Sequence, residues 1–171
     1  MSTIISESLD TSTSTSTGPD TSAVMHKLHV PWTLWFHSSE LDDWSIDSYE
    51  KLVTIETVEE FWLVFNNFHT FTNGMYYLMR QEHLPKWEEY TKPIHFLKYL
   101  VEKRQYLDLW MTLCKALVGE TLLADVSSDQ VVGIGLSPKF KNLIISLWTY
   151  CDTEPKINPD LPVDREKTIF K

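Results

Sequence analysis

The chain has 171 residues with 43% apolar side chains, enough to close one hydrophobic core, and its longest apolar stretches, such as Leu143 to Trp148, exclude a membrane-spanning helix of the usual kind. Fifteen basic against 24 acidic residues leave a net charge of −9, the wrong sign for gripping a long polyanion through many phosphates. A role on nucleic acid would therefore be local, confined to one recognised nucleotide.

Residues 1–25, with SLDTSTSTSTGPDTSA inside them, are Ser/Thr-rich and have little to bury, so a disordered tail is expected there. The start lacks the basic residues and apolar block of a secretory signal, and a cytoplasmic, also nuclear, location is expected. A folded domain is expected over 26–150 and an irregular segment over 151–171. VPWTLWF, from Val30 to Phe36, predicts a strand, with Pro31 at its start or edge. His37 to Ser48 reads as a polar loop holding the isolated Trp44, and Tyr49 to Ile55 as a second strand.

TVEEFWLVFNNF predicts a helix. Thr57 and Glu60 form a capping box, and Val58, Phe61, Trp62, Phe65 and Phe68 recur at helical spacing. Asn73-Gly74 signals a turn into a strand from Met75 to Arg80, and the loop HLPKWEEYTKP leads to another strand from Ile94 to Leu100. From Gln105 to Val118 the apolar residues again follow a helical period, with Gly119 as the stop. QVVGIGL and NLIISLWTY read as two strands joined by the basic turn Ser137 to Lys141. This order predicts an α+β fold: a curved, mostly antiparallel sheet with helices packed on one face.

Catalytic patterns are missing. There is no HExxH, GxSxG or GxxxxGK[ST], and Gly133 and Gly135 lack the third glycine and the helix of a dinucleotide fingerprint, so neither an enzyme nor a cofactor is expected. Cys114 and Cys151 have no metal-ligand spacing, the histidines are scattered, and reduced thiols without a metal are the reading. Among the paired acids, Glu59 and Glu60 suit a helix start and Asp42 and Asp43 suit water. Glu88 and Glu89 differ, because Trp87 precedes them directly.

If the sheet curves so that the loops of Trp44 and Trp87 meet at one mouth, their indoles can sandwich a planar ring. Stacking contributes roughly 1 to 3 kcal/mol per ring, and a cationic ring adds about 0.5 to 2 kcal/mol. A neighbouring carboxylate can accept two N–H donors from the edge of guanine, at about 1.5 to 3 kcal/mol each. Methylation at N7 makes that ring cationic. On these residues alone, the alternative that both Trp side chains are lids on a core stays open.

From about His26 to Tyr150 the ordered set HKLHVPWTLWF, the loop Trp44, TVEEFW, PKWEE, the LW…GE frame from Leu109 to Glu120, and LIISLWT resembles the eukaryotic translation initiation factor 4E family of mRNA cap-binding proteins. The resemblance implies that Trp44 and Trp87 stack on 7-methylguanine in a slot on the concave face of the sheet. Glu88 would read the guanine edge, Trp148 would touch the N7-methyl group, and Lys139 and Lys141 would face the phosphate bridge of the capped mRNA 5′ end. It also implies that a helical peptide of an initiation scaffold or related regulator docks on the convex face around His26, Val58, Trp62 and Met111, the chain being a monomer within a heteromeric complex.

Departures accompany the match. Counting back from Trp148 without a gap, Ile144 stands where the family has a second phosphate-binding lysine. Lys27 replaces a proline, and Thr112 and Lys115 replace an acid and an apolar contact. Little sequence follows Trp148, which implies a more open, weaker site in a divergent paralogue. The alternative is a protein-interaction module of the same fold with weak or no cap binding.

Overall fold

The computed structural model describes residues 24–68, 73–81, 83–163 and 168–171. Of the expected tail only Val24 and Met25 lie within them. In chain order the elements are β1 (Lys27–Ser38), β2 (Glu50–Thr57), α1 (Val58–Asn67), β3 (Gly74–Arg80), β4 (His95–Glu102), α2 (Tyr106–Val118), β5 (Val131–Lys139), β6 (Asn142–Thr149) and β7 (Thr168–Phe170). Among the described residues one sheet forms, in the order β2-β1-β3-β5-β6-β4-β7. Every pairing in it is antiparallel. The fold class is the expected one.

Alternation along the strands divides the side chains between two faces. Trp32, Leu34, Leu78, Leu97, Tyr99, Ile134, Leu136, Ile145 and Leu147 point to the face covered by α1 and α2, where they meet Phe61, Phe65, Trp110 and Leu113 in the main core. Tyr77, Met79, Val132 and Trp148 point the other way, with Trp35, Tyr49, Tyr90 and Phe96 packed around them. Among the described residues the second face therefore carries a mostly aromatic floor without a helix over it.

Local rules place the helices well. Thr57 Oγ1 accepts from the Glu60 N–H at 3.2 Å, and the Glu60 carboxylate accepts from the N–H groups of Thr57 at 3.0 Å and Glu56 at 2.7 Å. The end of α2 falls at the expected glycine. Gly119 stops the helix at φ −83°, and the left-handed residue is Glu120 at φ 56°. The N–H of Thr121 then closes on the Ala116 carbonyl at 2.8 Å, and that of Glu120 on Leu117 at 3.1 Å.

Two expectations are corrected. The loop thought to start at His37 starts later, because β1 runs to Ser38 and the His37 side chain is fully buried. The basic turn also shrinks: β5 includes Ser137, Pro138 and Lys139, leaving Phe140-Lys141 as the connection, with Phe140 at φ 52°. Pro138 is tolerated because β3 pairs with β5 only as far as Leu136, so the missing N–H falls on an unpaired edge. In the segment expected to be irregular, residues 168–170 add a short edge strand to β4.

Candidate functional site

The loop after β1 is built around Trp44. Asp43 accepts from the Ser45 N–H at 2.8 Å and from the Ser45 hydroxyl at 2.9 Å, clasping the chain on either side of the indole. The backbone N–H of Ser45, then its hydroxyl, hold the Asp43 carboxyl below its usual range. Beneath the indole lies His37, stacked at 4.5 Å between centroids and 6° between planes. The His37 Nε2–H donates to the Asp43 carbonyl at 2.8 Å, since a carbonyl can only accept. Tyr49 packs on the same imidazole at 4.7 Å. One face of Trp44 is thus seated on protein and the indole stays 50% exposed.

The loop between β3 and β4 carries Trp87 at the start of a single 3-10 turn, Trp87–Glu89, where the indole is 57% exposed. Tyr90 holds this loop in place: its hydroxyl donates to the Leu84 carbonyl at 2.6 Å, its ring stacks near His83, and it packs against Trp148. Burial pushes the Tyr90 hydroxyl well above its ordinary range. Glu89 is tied to Lys86 at 3.2 Å, whereas Glu88 is exposed and has no hydrogen-bond or ion-pair partner among the described residues. The two acids beside Trp87 are therefore inequivalent.

Both loops open at the same end of the aromatic face. Burial raises the Tyr49 hydroxyl above its ordinary range and the Glu88 charge adds to it, so Glu88 lies within electrostatic reach of the ring that packs under His37 and Trp44. Lys86 likewise lowers Asp43, after the Ser45 contacts. Trp148 is buried between these loops and the sheet, edge-on to Phe96 at 5.1 Å and to Tyr77 at 5.9 Å. Gly135 makes room for that floor, since a Cβ there would lie 2.9 Å from the Tyr77 ring and 3.5 Å from Trp148 Nε1.

Farther along the same face stands Lys139. In the last register pair of the β5–β6 hairpin, Lys139 sits opposite Asn142 and has the strand parity of Gly133 and Gly135. Lys141 lines a cavity of about 860 Å³ that it shares with Glu102, Asp108 and Thr112, at the corner where α2 begins. Lys98, which sequence reasoning overlooked, shares the aromatic face with Phe96. His37 and Tyr90 were overlooked as well. Only the alternation of β1 could have hinted at His37, by giving it the same parity as Trp35. Among the described residues no three His, Cys, Asp or Glu side chains gather as metal ligands.

On the helical face, His26, Val58 and Trp62 lie together. His26 Nδ1 meets Glu59 at 2.6 Å, and its carbonyl accepts from the Val58 N–H at 2.8 Å. Trp62 is 41% exposed while its neighbour Phe61 is buried, and the Lys115 ammonium sits 5.9 Å from the Trp62 ring. Met111 is half-buried on α2 and packs against the main core.

Comparison with known proteins follows the same outline. The family model described as eukaryotic initiation factor 4E matches residues 27–162. Eukaryotic translation initiation factor 4E of Dictyostelium discoideum is 29% identical over 148 residues, covering 81% of this chain and 58% of its own. The chain spans about three fifths of the length of the curated relatives it matches. Among solved structures, C. elegans eIF4E-3 in complex with the 4E-binding protein Mextli and cap analog superimposes with a TM-score of 0.67 at 24% identity, over 75% of this chain and 76% of that one. Ascaris suum eIF4E-3 with m7G cap gives 0.64 at 23% identity, over 74% of each. The antiparallel sheet with two helices on one face is the fold of those neighbours, and with the family model matching most of its length, this chain belongs to the eukaryotic initiation factor 4E family.

Proposed function

We propose that this chain binds the 7-methylguanosine cap at the 5′ end of mRNA and acts in translation initiation or its regulation. The observation that carries the reading is the arrangement at one end of the aromatic face: two half-exposed indoles on separate loops beside a carboxylate with no partner. Trp44 and Trp87 stack on the two sides of the methylated base, with His37 backing Trp44 from below. Glu88 accepts from guanine N1–H and N2–H, and Trp148 borders the N7-methyl group. Lys139 faces the phosphates. The solved neighbours support this, since they hold a cap analog or an m7G cap.

Two stacking contributions and a bidentate carboxylate, set against the cost of association, put the affinity near −8 kcal/mol, roughly micromolar. Titration of Trp fluorescence with 7-methyl-GTP and with GTP tests the reading. The methylated ligand is expected to quench and bind more than about tenfold tighter, because only the cationic ring gains the quadrupole attraction. Trp44→Ala and Trp87→Ala should each abolish most of that preference, whereas Glu88→Ala should weaken both ligands, since both carry the N1–H and N2–H donors. Equal response to both ligands rejects it.

On the opposite face, a helical peptide of an initiation scaffold or regulator would dock across His26, Val58, Trp62 and Met111. A neighbour solved with the 4E-binding protein Mextli supports a partner of that kind. The chain would then act as a monomer within a heteromeric complex in the cytoplasm, with a nuclear pool as the second site. A wild type that ignores 7-methyl-GTP yet captures such a peptide would instead favour an interaction module without cap binding.

A further inference from the structure

Ile144 on β6 leaves a neutral side chain where the resemblance leads one to expect a cation. The sheet register shows where positive charge stands instead. Across the aromatic face, Lys171, Phe96, Trp148 and Gly133 form one cross-strand row, with the Lys171 and Phe96 backbones exchanging hydrogen bonds of 2.8 and 3.0 Å. The next row is Ile169, Lys98, Ser146 and Gly135, and the one after it is Leu100, Ile144 and Ser137. Glu102, Asn142 and Lys139 form the last row at the hairpin, where the Glu102 carboxylate is taken up by Arg104 at 2.8 Å. Rows lie about 6.7 Å apart along a strand.

Lys98 thus stands one row beyond Trp148 and one row before Ile144, on the strand beside both. Its ammonium lies 5.1 Å from the Phe96 ring, which itself packs edge-on against Trp148. No carboxylate lies within ion-pair distance of Lys98 among the described residues, although the chain carries a net −9. Burial, and after it the charges of Lys171 and then Lys139, push the Lys98 ammonium below its usual range. Partly desolvating cations that face one another is unfavourable unless an anion joins them.

We propose that Lys98, with Lys171 beside it, is the cation that holds the cap's phosphate bridge in this chain, taking over from the neighbouring strand the role that Ile144 cannot fill. This rests on the cap-binding reading above. A methylguanine bordered by Trp148 would direct its phosphates down the rows, past Lys98 and on toward Lys139.

The test compares 7-methylguanosine, which has no phosphate, with 7-methyl-GTP, on wild type, Lys98→Gln, Lys98→Arg and the remote charge control Lys103→Gln. Lys98→Gln is expected to weaken 7-methyl-GTP about tenfold, the size of one charge-assisted hydrogen bond, and to leave the nucleoside within about twofold. The dependence of log affinity on log salt should flatten by about one ion, and Lys98→Arg should restore most of the binding. Circular dichroism of each variant separates these losses from misfolding. Lys98→Gln weakening both ligands alike, or doing no more than Lys103→Gln, overturns this proposal while the cap reading stands. A wild type that binds neither ligand overturns both.

Discussion

His37 shows how much one concealed side chain can decide. Its imidazole is sandwiched between Trp44 and Tyr49, its Nε2–H is committed to the Asp43 carbonyl, and Nδ1 has no partner among the described residues. Leaving a buried acceptor unpaired is costly, so what the residue contributes comes from its shape and its one donor. Its flat face sets the tilt at which Trp44 presents the opposite side to a ligand. His37→Ala should therefore free the indole, shift Trp emission to the red and weaken 7-methyl-GTP binding by about fivefold to twentyfold, consistent with losing one stacking contact. His37→Phe should keep most of the affinity, since it preserves the ring and gives up only the hydrogen bond. Fluorescence spectra and titrations of the two variants check this.

The sequence exposed the Trp and Glu residues of the proposed slot because an isolated aromatic in a polar loop, and an acid abutting an aromatic, are local oddities. His37 was hidden. Beside Ser38 and Ser39 it reads as the first polar residue of a loop, and its burial depends on a pairing with Met75 that lies far along the chain. Lys98 was hidden for a similar reason: an alternating strand shows that it faces away from Leu97 and Tyr99, but not that Trp148 and Lys171 share its side.

Elements were more legible than residues. The capping box at Thr57 and Glu60 is a short-range signal, and the structure completes it on both sides. The end of α2 depended on more distant partners. Gly119 is the stop that was expected, and the left-handed residue after it is Glu120, whose carboxylate reaches Arg80 at 3.2 Å and Ser128 at 2.8 Å. Arg80 in turn lies over Trp32 at 5.0 Å and donates to the carbonyls of Val131 and Ser128. The bridge locks the helix end to β3 and β5 and offsets the backbone strain. Glu120→Ala keeps the strain and removes the bridge, so it should lower stability by about 2 kcal/mol, against about 1 kcal/mol for Thr57→Ala. Denaturant unfolding of both variants measures the difference.

At the scale of the whole molecule, one sheet separates two working faces. The aromatic face carries the proposed nucleotide slot, and the helical face carries an exposed patch of Val58, Trp62 and Leu63 beside half-buried Met111. Because no described side chain belongs to both, substitutions on the two faces should act independently. Trp62→Ala is expected to reduce capture of a helical scaffold peptide at least tenfold, the loss typical of a central aromatic anchor, and to leave the 7-methyl-GTP titration unchanged. A pull-down run beside that titration reads both outcomes. A shift in cap affinity in Trp62→Ala would show that the faces are coupled.

The amino-acid sequence by itself determined the periodicities, and with them the helices, most strand positions and the sidedness of the sheet. The reason is that side-chain alternation and capping act over a few residues. It also displayed the Trp44, Trp87 and Glu88 pattern that led to the family. Only the tertiary structure decided which residues stand beside one another across strands. Register set Lys98 one row from Trp148, put His37 beneath Trp44, and sent Lys139 and Lys141 to different surroundings around a two-residue turn. Such neighbours are made by pairing between distant segments, which no local spacing encodes.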